Sequence, residues 1–151
     1  KEPVNITALA WEVWENLKYS PEAENIQFLV EIPEDLEIVS DKSRLQVVIT
    51  NLLSNAVRYH DSRKKEQYIR LQYQANGSVF SIKVEDNGQG IAKEYHTRIF
   101  EMFYRANEMS KGSGLGLYIV KEALMKLSGS IQLDSTPGIG TIITVKLPHR
   151  H

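Results

Sequence analysis

Two hydrophobic periods share this chain without strict alternation, and that mixture most narrows the folds open to it. Leu45, Val48, Ile49, Leu52, Leu53 and Ala56 recur at helical spacing. They predict a long helix with one apolar stripe, capped by Asp41 or Ser43 and running to about Tyr59. After eight polar positions the period changes. Tyr68 to Gln74 and Val79 to Val84 flank Ala75-Asn76-Gly77-Ser78 as a β-hairpin. A second strong helix is expected over Leu115 to Leu127. A last hairpin follows, Ser130 to Asp134 with Thr141 to Leu147, turned by Pro137-Gly138-Ile139-Gly140.

Upstream, Leu9, Val13 and Leu17 mark an amphipathic helix over Asn5 to Tyr19, capped by Asn5 or Thr7 and stopped before Pro21, with Trp11 and Trp14 packing beside it. Short strands are expected near Ile26 to Ile32 and Leu36 to Val39, with Ile-Pro-Glu-Asp as the turn between them. A short helix is expected near Lys93 to Ile99, followed by an apolar knot around Phe100 and Phe103. No βαβ alternation runs through the whole, which favours an α+β sandwich over a doubly wound parallel sheet.

Composition removes several function classes. Lys and Arg number 18 against 19 Asp and Glu, a formal charge of -1. That balance supplies no electrostatic case for nucleic acid or an acidic membrane as main partner. No apolar run approaches the roughly 20 residues of a membrane helix, and the start lacks the basic character of a signal peptide. The absence of Cys excludes disulfides, Cys-ligated zinc and thiol catalysis. The expectation is a soluble, cytoplasmic domain over 1–148 with a short tail over 149–151. His149 and His151 fall in that tail and are expected to be disordered. His60 and His96 stand alone, without partners at transition-metal spacing, and no Ser/His/Asp arrangement can be assembled.

Four features remain that could carry chemistry. Asn51, Asn55 and Arg58 lie on one stripe of the long helix, beside its apolar face, with Tyr59 next to them. Amide oxygens can ligate a hard cation such as magnesium, and a guanidinium can clamp a phosphate; two exposed Asn on a tolerant helix would look the same. Asp86-Asn87-Gly88-Gln89-Gly90 ends a strand and puts a carboxylate beside a close-approach turn, although Asp-Asn-Gly is also a plain turn sequence. Gly112-Ser113-Gly114-Leu115-Gly116-Leu117 opens a helix with exposed N–H groups suited to phosphate, preceded by Lys111. It matches neither common phosphate-loop spacing. The polar stretch from Phe100 to Lys111 reads as a lid over a ligand or as a long surface loop.

Taken in order, these segments resemble the ATP-binding catalytic domain of two-component sensor histidine kinases, in the superfamily shared with gyrase, heat-shock chaperone and mismatch-repair ATPases. Asn51 to Tyr59 (NLLSNAVRY) is similar to that family's asparagine box, and Asp86 to Gly90 (DNGQG) to its first glycine box. Ile99 to Arg105 (IFEMFYR) is similar to its phenylalanine box, Gly112 to Leu117 (GSGLGL) to its second glycine box, and Gly138 to Thr141 (GIGT) to its last. Five motifs in family order are far more specific than any one.

The resemblance implies a Bergerat-type fold: a two-layer α/β sandwich with a mixed sheet of about five strands covered on one face by three helices. It implies ATP and magnesium as cofactors. Asn55 would ligate the metal, with Asn51 in support, and Arg58 would reach the phosphates while Tyr59 lines the same wall. These make Asn51, Asn55 and Arg58 the catalytic set. Asp86 would accept from the adenine amine, with Gly88, Gly90 and Ile91 around the ring and Thr141 supporting that end through water. Gly112, Ser113, Gly114, Leu115, Gly116 and Leu117 would form the phosphate loop. Phe100 and Phe103 would anchor the lid, and Arg105 and Lys111 could swing onto the nucleotide.

Two departures from the wider superfamily shape the expectation. Hydrolysing relatives carry a Glu general base where Asn51 stands, so efficient ATP hydrolysis is not expected, while transfer to another nucleophile remains open. The second is that the phosphoacceptor is not expected in this chain: the resemblance implies a His followed by an acidic residue on a dimeric helical hairpin upstream of the catalytic domain. His60-Asp61 has that order but ends the asparagine-box helix, the wrong element. The implied partners are therefore the dimerisation and phosphotransfer hairpin of the same parent protein and a response regulator receiver domain, with no nucleic acid and no membrane contact by this domain. Its parent is either soluble or membrane-anchored, and the isolated domain is expected to be a monomer. The rival readings are a nucleotide-binding sensor module without kinase activity and an anti-sigma-type serine kinase.

Overall fold

The computed structural model describes residues 1–101 and 116–149. Phe103, Arg105, Lys111, Gly112, Ser113, Gly114, Leu115 and His151 lie outside the described residues. Within them, the chain runs β1 (Glu2–Asn5), α1 (Ile6–Leu17), β2 (Ile26–Glu31), β3 (Glu37–Ser40), α2 (Lys42–Arg58), β4 (Gln67–Asn76), β5 (Val79–Asp86), α3 (Gly116–Lys126), β6 (Ser130–Thr136) and β7 (Gly140–Pro148). Five strands form one mixed sheet in the order β2-β4-β5-β7-β6, parallel between β2 and β4 and antiparallel elsewhere. The expected α+β sandwich, three helices on a five-stranded sheet, is what forms.

The caps resolve the two open choices. Asn5 accepts the Ala8 N–H at 2.8 Å to start α1, and Asp41 accepts the Arg44 N–H at 3.1 Å to start α2, each satisfying a first-turn donor. The α2 stripe is buried throughout, from Leu45, Ile49, Leu52 and Leu53 at 0% exposure to Ala56 at 2%. It packs against the inward rows Phe80-Ile82-Val84 of β5 and Leu147-Val145-Ile143 of β7, all in one core. Trp14 is buried and stacks on Phe28 with ring centroids 4.8 Å apart, while Trp11 meets the same ring edge-on from a half-exposed position. The open face of the sheet carries polar side chains that bond one another: Tyr68 and Arg70 donate to Glu85, and Gln72 donates to Glu31.

Four local expectations change. First, β2 and β3 do not pair with each other. Thr7 Oγ1 reaches the Ile32 and Pro33 carbonyls, and Asn5 Nδ2 donates to Glu34 O at 2.8 Å. The intervening loop is thereby fastened to the start of α1 instead of closing a hairpin. Second, β3 pairs antiparallel with β1 in a separate two-stranded sheet that buries Val4 against Ile38; four residues containing Pro3 leave too short a period to read. Third, Lys93–Tyr95 and Arg98–Phe100 are separate 3-10 turns, because so short and polar a stretch does not propagate an α-helix. Fourth, His149 is ordered: its N–H donates to Ser78 O at 2.8 Å and its ring lies 5.3 Å from that of Phe80. Among the described residues, no helix is long and apolar enough to cross a membrane.

Candidate functional site

Three strands lose their apolar inward row at the same end of the sheet. On β5 the inward positions read Phe80, Ile82, Val84 and then Asp86; on β7, Leu147, Val145, Ile143 and then Thr141. On β6 the same alternation runs Ile131, Leu133, Ser135. The registers Asp86↔Thr141 and Ser135↔Thr141 set these three polar residues side by side across adjacent strands. Period-2 patterning therefore builds a polar corner at the edge of the core.

Asp86 is 6% exposed and Thr141 2%. Burial is the main reason the Asp86 carboxyl is pushed up to about 7, against the pull of the Gly88 and Thr141 backbone N–H groups and the Lys64 charge. The Gly88 N–H donates to Asp86 Oδ1 at 2.8 Å, and the carboxyl has lone pairs enough to accept a further donor. Ser135 Oγ accepts the Ile91 N–H at 2.7 Å and donates to Gly140 O at 3.0 Å, while 2.8 Å separates it from Thr141 Oγ1. Either hydroxyl can donate to the other; when the Ser135 proton is on Gly140 O, Ser135 receives that of Thr141 and the Thr141 oxygen keeps acceptor capacity toward the corner.

Two glycines let the backbones close around this corner. Gly90 has φ +75°, and a Cβ there would strike the Thr136 carbonyl. Gly140 has φ +146°, and a Cβ there would strike the Asp86 carbonyl. The loop after Asp86 is then tied across: Gln89 N–H donates to Tyr59 O, and Gly138 N–H to Gln89 O, both at 2.8 Å. Tyr59 follows the last residue of α2, so its carbonyl joins the polar corner to the helix that carries the amides.

On α2, Asn51 and Arg58 are half-buried, while Asn55 is only 3% exposed. Asn51 Nδ2 donates back to Val47 O at 2.7 Å. The first residue of α3 approaches this wall: the position a Cβ would take on Gly116 lies 3.6 Å from Asn51 Oδ1 and 3.8 Å from Arg58 Nη1. The structure thus brings Asn51, Arg58 and Gly116 together, and separately Asp86, Gly88, Gly90 and Thr141. Tyr59 is buried where the two groups meet. Ile91 and Leu117 are turned into the core at 3% and 5% exposure.

Sequence reasoning passed over four residues of this site. Ser135 was findable, since it continues the inward alternation of Ile131 and Leu133. Asn87 and Gln89, inside the Asp-Asn-Gly-Gln-Gly segment, act through cross-loop bonds: Asn87 accepts the Tyr68 N–H and donates to Glu66 O, and Gln89 Nε2 donates to His60 O. Lys64 sits in a polar stretch with no pattern to mark it. Among the described residues, no group of three or more His, Asp and Glu side chains could hold a metal ion.

Comparison with known proteins shows the family and the fold. Residues 40–151 match the model of the histidine kinase-, DNA gyrase B- and HSP90-like ATPase family. The sensor-like histidine kinase SenX3 of Mycobacterium tuberculosis is 31% identical over 149 residues, which are 96% of this chain and 36% of that protein. The sensor histidine kinase RcsC of Escherichia coli is 38% identical over 112 residues, 72% of this chain and 11% of that one. Among solved structures, the mycobacterial sensor histidine kinase MprB superposes with a TM-score of 0.80 at 29% identity, covering 99% of this chain and 97% of that one. Full-length ShkA, solved in complex with AMPPNP, superposes with a TM-score of 0.76 at 27% identity, covering 97% of this chain and 30% of that one. The chain therefore spans about a third or less of the length of such full-length relatives, and it belongs to the histidine kinase-, DNA gyrase B- and HSP90-like ATPase family as an ATP-binding catalytic domain of the sensor histidine kinase type.

Proposed function

We propose that this domain binds ATP with magnesium between α2 and the polar corner, and positions the γ-phosphoryl group for transfer to a histidine on a separate dimerisation hairpin of the same parent protein. A receiver domain of a response regulator would then take the group. The observation that carries the reading is the buried Asp86 carboxyl, one oxygen satisfied by Gly88 and set beside Thr141 and Ser135, joined through Tyr59 to a wall bearing Asn51, Asn55 and Arg58. A buried carboxylate with spare acceptor capacity suits an exocyclic amine. Amide oxygens suit magnesium, which is a hard cation.

Each residue then has a task. Asp86 accepts from the adenine amine, and Thr141 holds a water against the same edge. Asn55 offers its amide oxygen to the metal, with Asn51 beside it. Arg58 and the Gly116 N–H neutralise phosphate charge at the start of α3, where the helix end favours anions. Gly112 to Leu115, Arg105 and Lys111 join this set through the family resemblance. With Asn51 where hydrolysing relatives carry a Glu, the general base of those relatives is missing from this position, which favours transfer over hydrolysis; phosphoryl transfer asks mainly for positioning and charge stabilisation. That ShkA was solved with AMPPNP supports the nucleotide assignment.

The test is calorimetric titration with ADP and a non-hydrolysable ATP analogue, with and without magnesium, for the chain and for Asn55→Ala. Magnesium-dependent binding in the micromolar range, about -8 kcal/mol, is expected, with the magnesium-dependent part lost in the variant. A folded sample that binds neither nucleotide refutes the reading. Phosphorylation of a supplied hairpin then tests the transfer.

A further inference from the structure

We infer that Lys64, outside all five motif segments, is a positioning residue for base recognition: its ammonium ties the loop after Asp86 to the β6–β7 turn and so sets Asp86 against Thr141. Lys64 Nζ donates to Asn87 O at 2.6 Å, Gly88 O at 3.2 Å and Ile139 O at 3.0 Å. An ammonium has three donors, and here each finds a carbonyl. Those carbonyls lie 23, 24 and 75 residues along the chain from Lys64. Lys18 and Arg44, by contrast, pair with acids three residues away on the protein surface.

The placement of the three carbonyls gives the clamp its effect. Asn87 and Gly88 immediately follow Asp86, and Gly88 is also the residue whose N–H orients the Asp86 carboxyl. Ile139 immediately precedes Gly140 and Thr141. Direct bonds between these loops, such as Gly138 N–H to Gln89 O, set their height, and Lys64 holds them from the side together with its own loop. Without the ammonium, water can reach these part-exposed carbonyls, so the fold persists while the spacing at the base end loosens. Bonds to a charged donor are stronger than neutral ones, so a neutral side chain is a poor substitute.

The inference rests on the nucleotide reading above, and the experiment separates the two. Wild type, Lys64→Met and Lys64→Gln are titrated with magnesium-ADP and with magnesium-IDP, whose base lacks the exocyclic amine, and backbone amide exchange is followed without nucleotide. Wild type is expected to prefer ADP. Both variants are expected to bind ADP about tenfold more weakly, with IDP little changed, and to exchange the Gln89 and Gly138 amides faster. Equal losses for ADP and IDP would mark Lys64 as merely structural and overturn the inference, as would an unchanged ADP:IDP ratio or unchanged exchange at those amides. If wild type binds neither nucleotide, the function reading fails by itself. The exchange rates then judge the clamp alone: faster exchange in the variants supports it, and unchanged exchange sinks it.

Discussion

Asp86→Asn should make the nucleotide-free protein more stable as pH rises while weakening its hold on adenine. The wild-type carboxyl is pushed from an ordinary 3.8 to about 7, chiefly by burial. A folded-state value above the unfolded one means that the native state binds the proton more tightly. Wild-type stability is therefore greatest, as far as this group goes, below about pH 4, and falls as pH rises toward about 7. At about 1.4 kcal/mol per pH unit the loss approaches about 4 kcal/mol. That figure is a ceiling, because a relaxing site admits water. Asn has the same shape, keeps one acceptor oxygen for the Gly88 N–H, and never ionises. Urea unfolding of both proteins from pH 4 to pH 8 should give nearly equal stabilities at the acid end. The variant should then pull ahead by about 2–4 kcal/mol at pH 8. The difference isolates Asp86, since Asp41 and Asp61, whose carboxyls are held low by the Arg44 amide and the Arg63 guanidinium, contribute equally to both. In the same variant the amide N–H faces the adenine amine, donor against donor, so ADP affinity should fall. A stability difference that stays flat across pH would refute the burial argument. An unchanged ADP affinity would refute the adenine assignment.

Leu52, fully buried in the α2 stripe, should cost about 2–5 kcal/mol on replacement by Ala, read by chemical denaturation with an unchanged m-value; a loss under about 1 kcal/mol would mean the site collapses freely. Ser135→Ala removes the acceptor of the Ile91 N–H and the neighbour of the Thr141 hydroxyl. The expected cost is about 1–3 kcal/mol, with faster hydrogen exchange at Ile91. Unchanged exchange there would mean that the Ile91 amide finds another acceptor.

The sequence by itself determined the three helices and the strands of the five-stranded sheet. The stripe from Leu45 to Ala56 and the hairpins around Gly77 and Gly138 are local matters, decided by side-chain period and turn stereochemistry within a few residues, while each helix start was narrowed only to two candidate caps. The carboxylate at the end of β5 was legible for the same reason, Thr141 at the end of β7 entered only through the family resemblance, and five ordered motifs carried the family. Tertiary structure alone decided which strands meet. The segment Ile26–Glu31 pairs with residues 67–72 rather than with its neighbour Glu37–Ser40, because Thr7 and Asn5 hold the intervening loop and α2 covers the crossover between the parallel strands. It also decided that Asn55 is buried, that Ser135 completes the Asp86–Thr141 row, and that Lys64 reaches three carbonyls on two distant loops. Such contacts join segments tens of residues apart. Their energies depend on where the folded core holds the two partners, and no local period records that position.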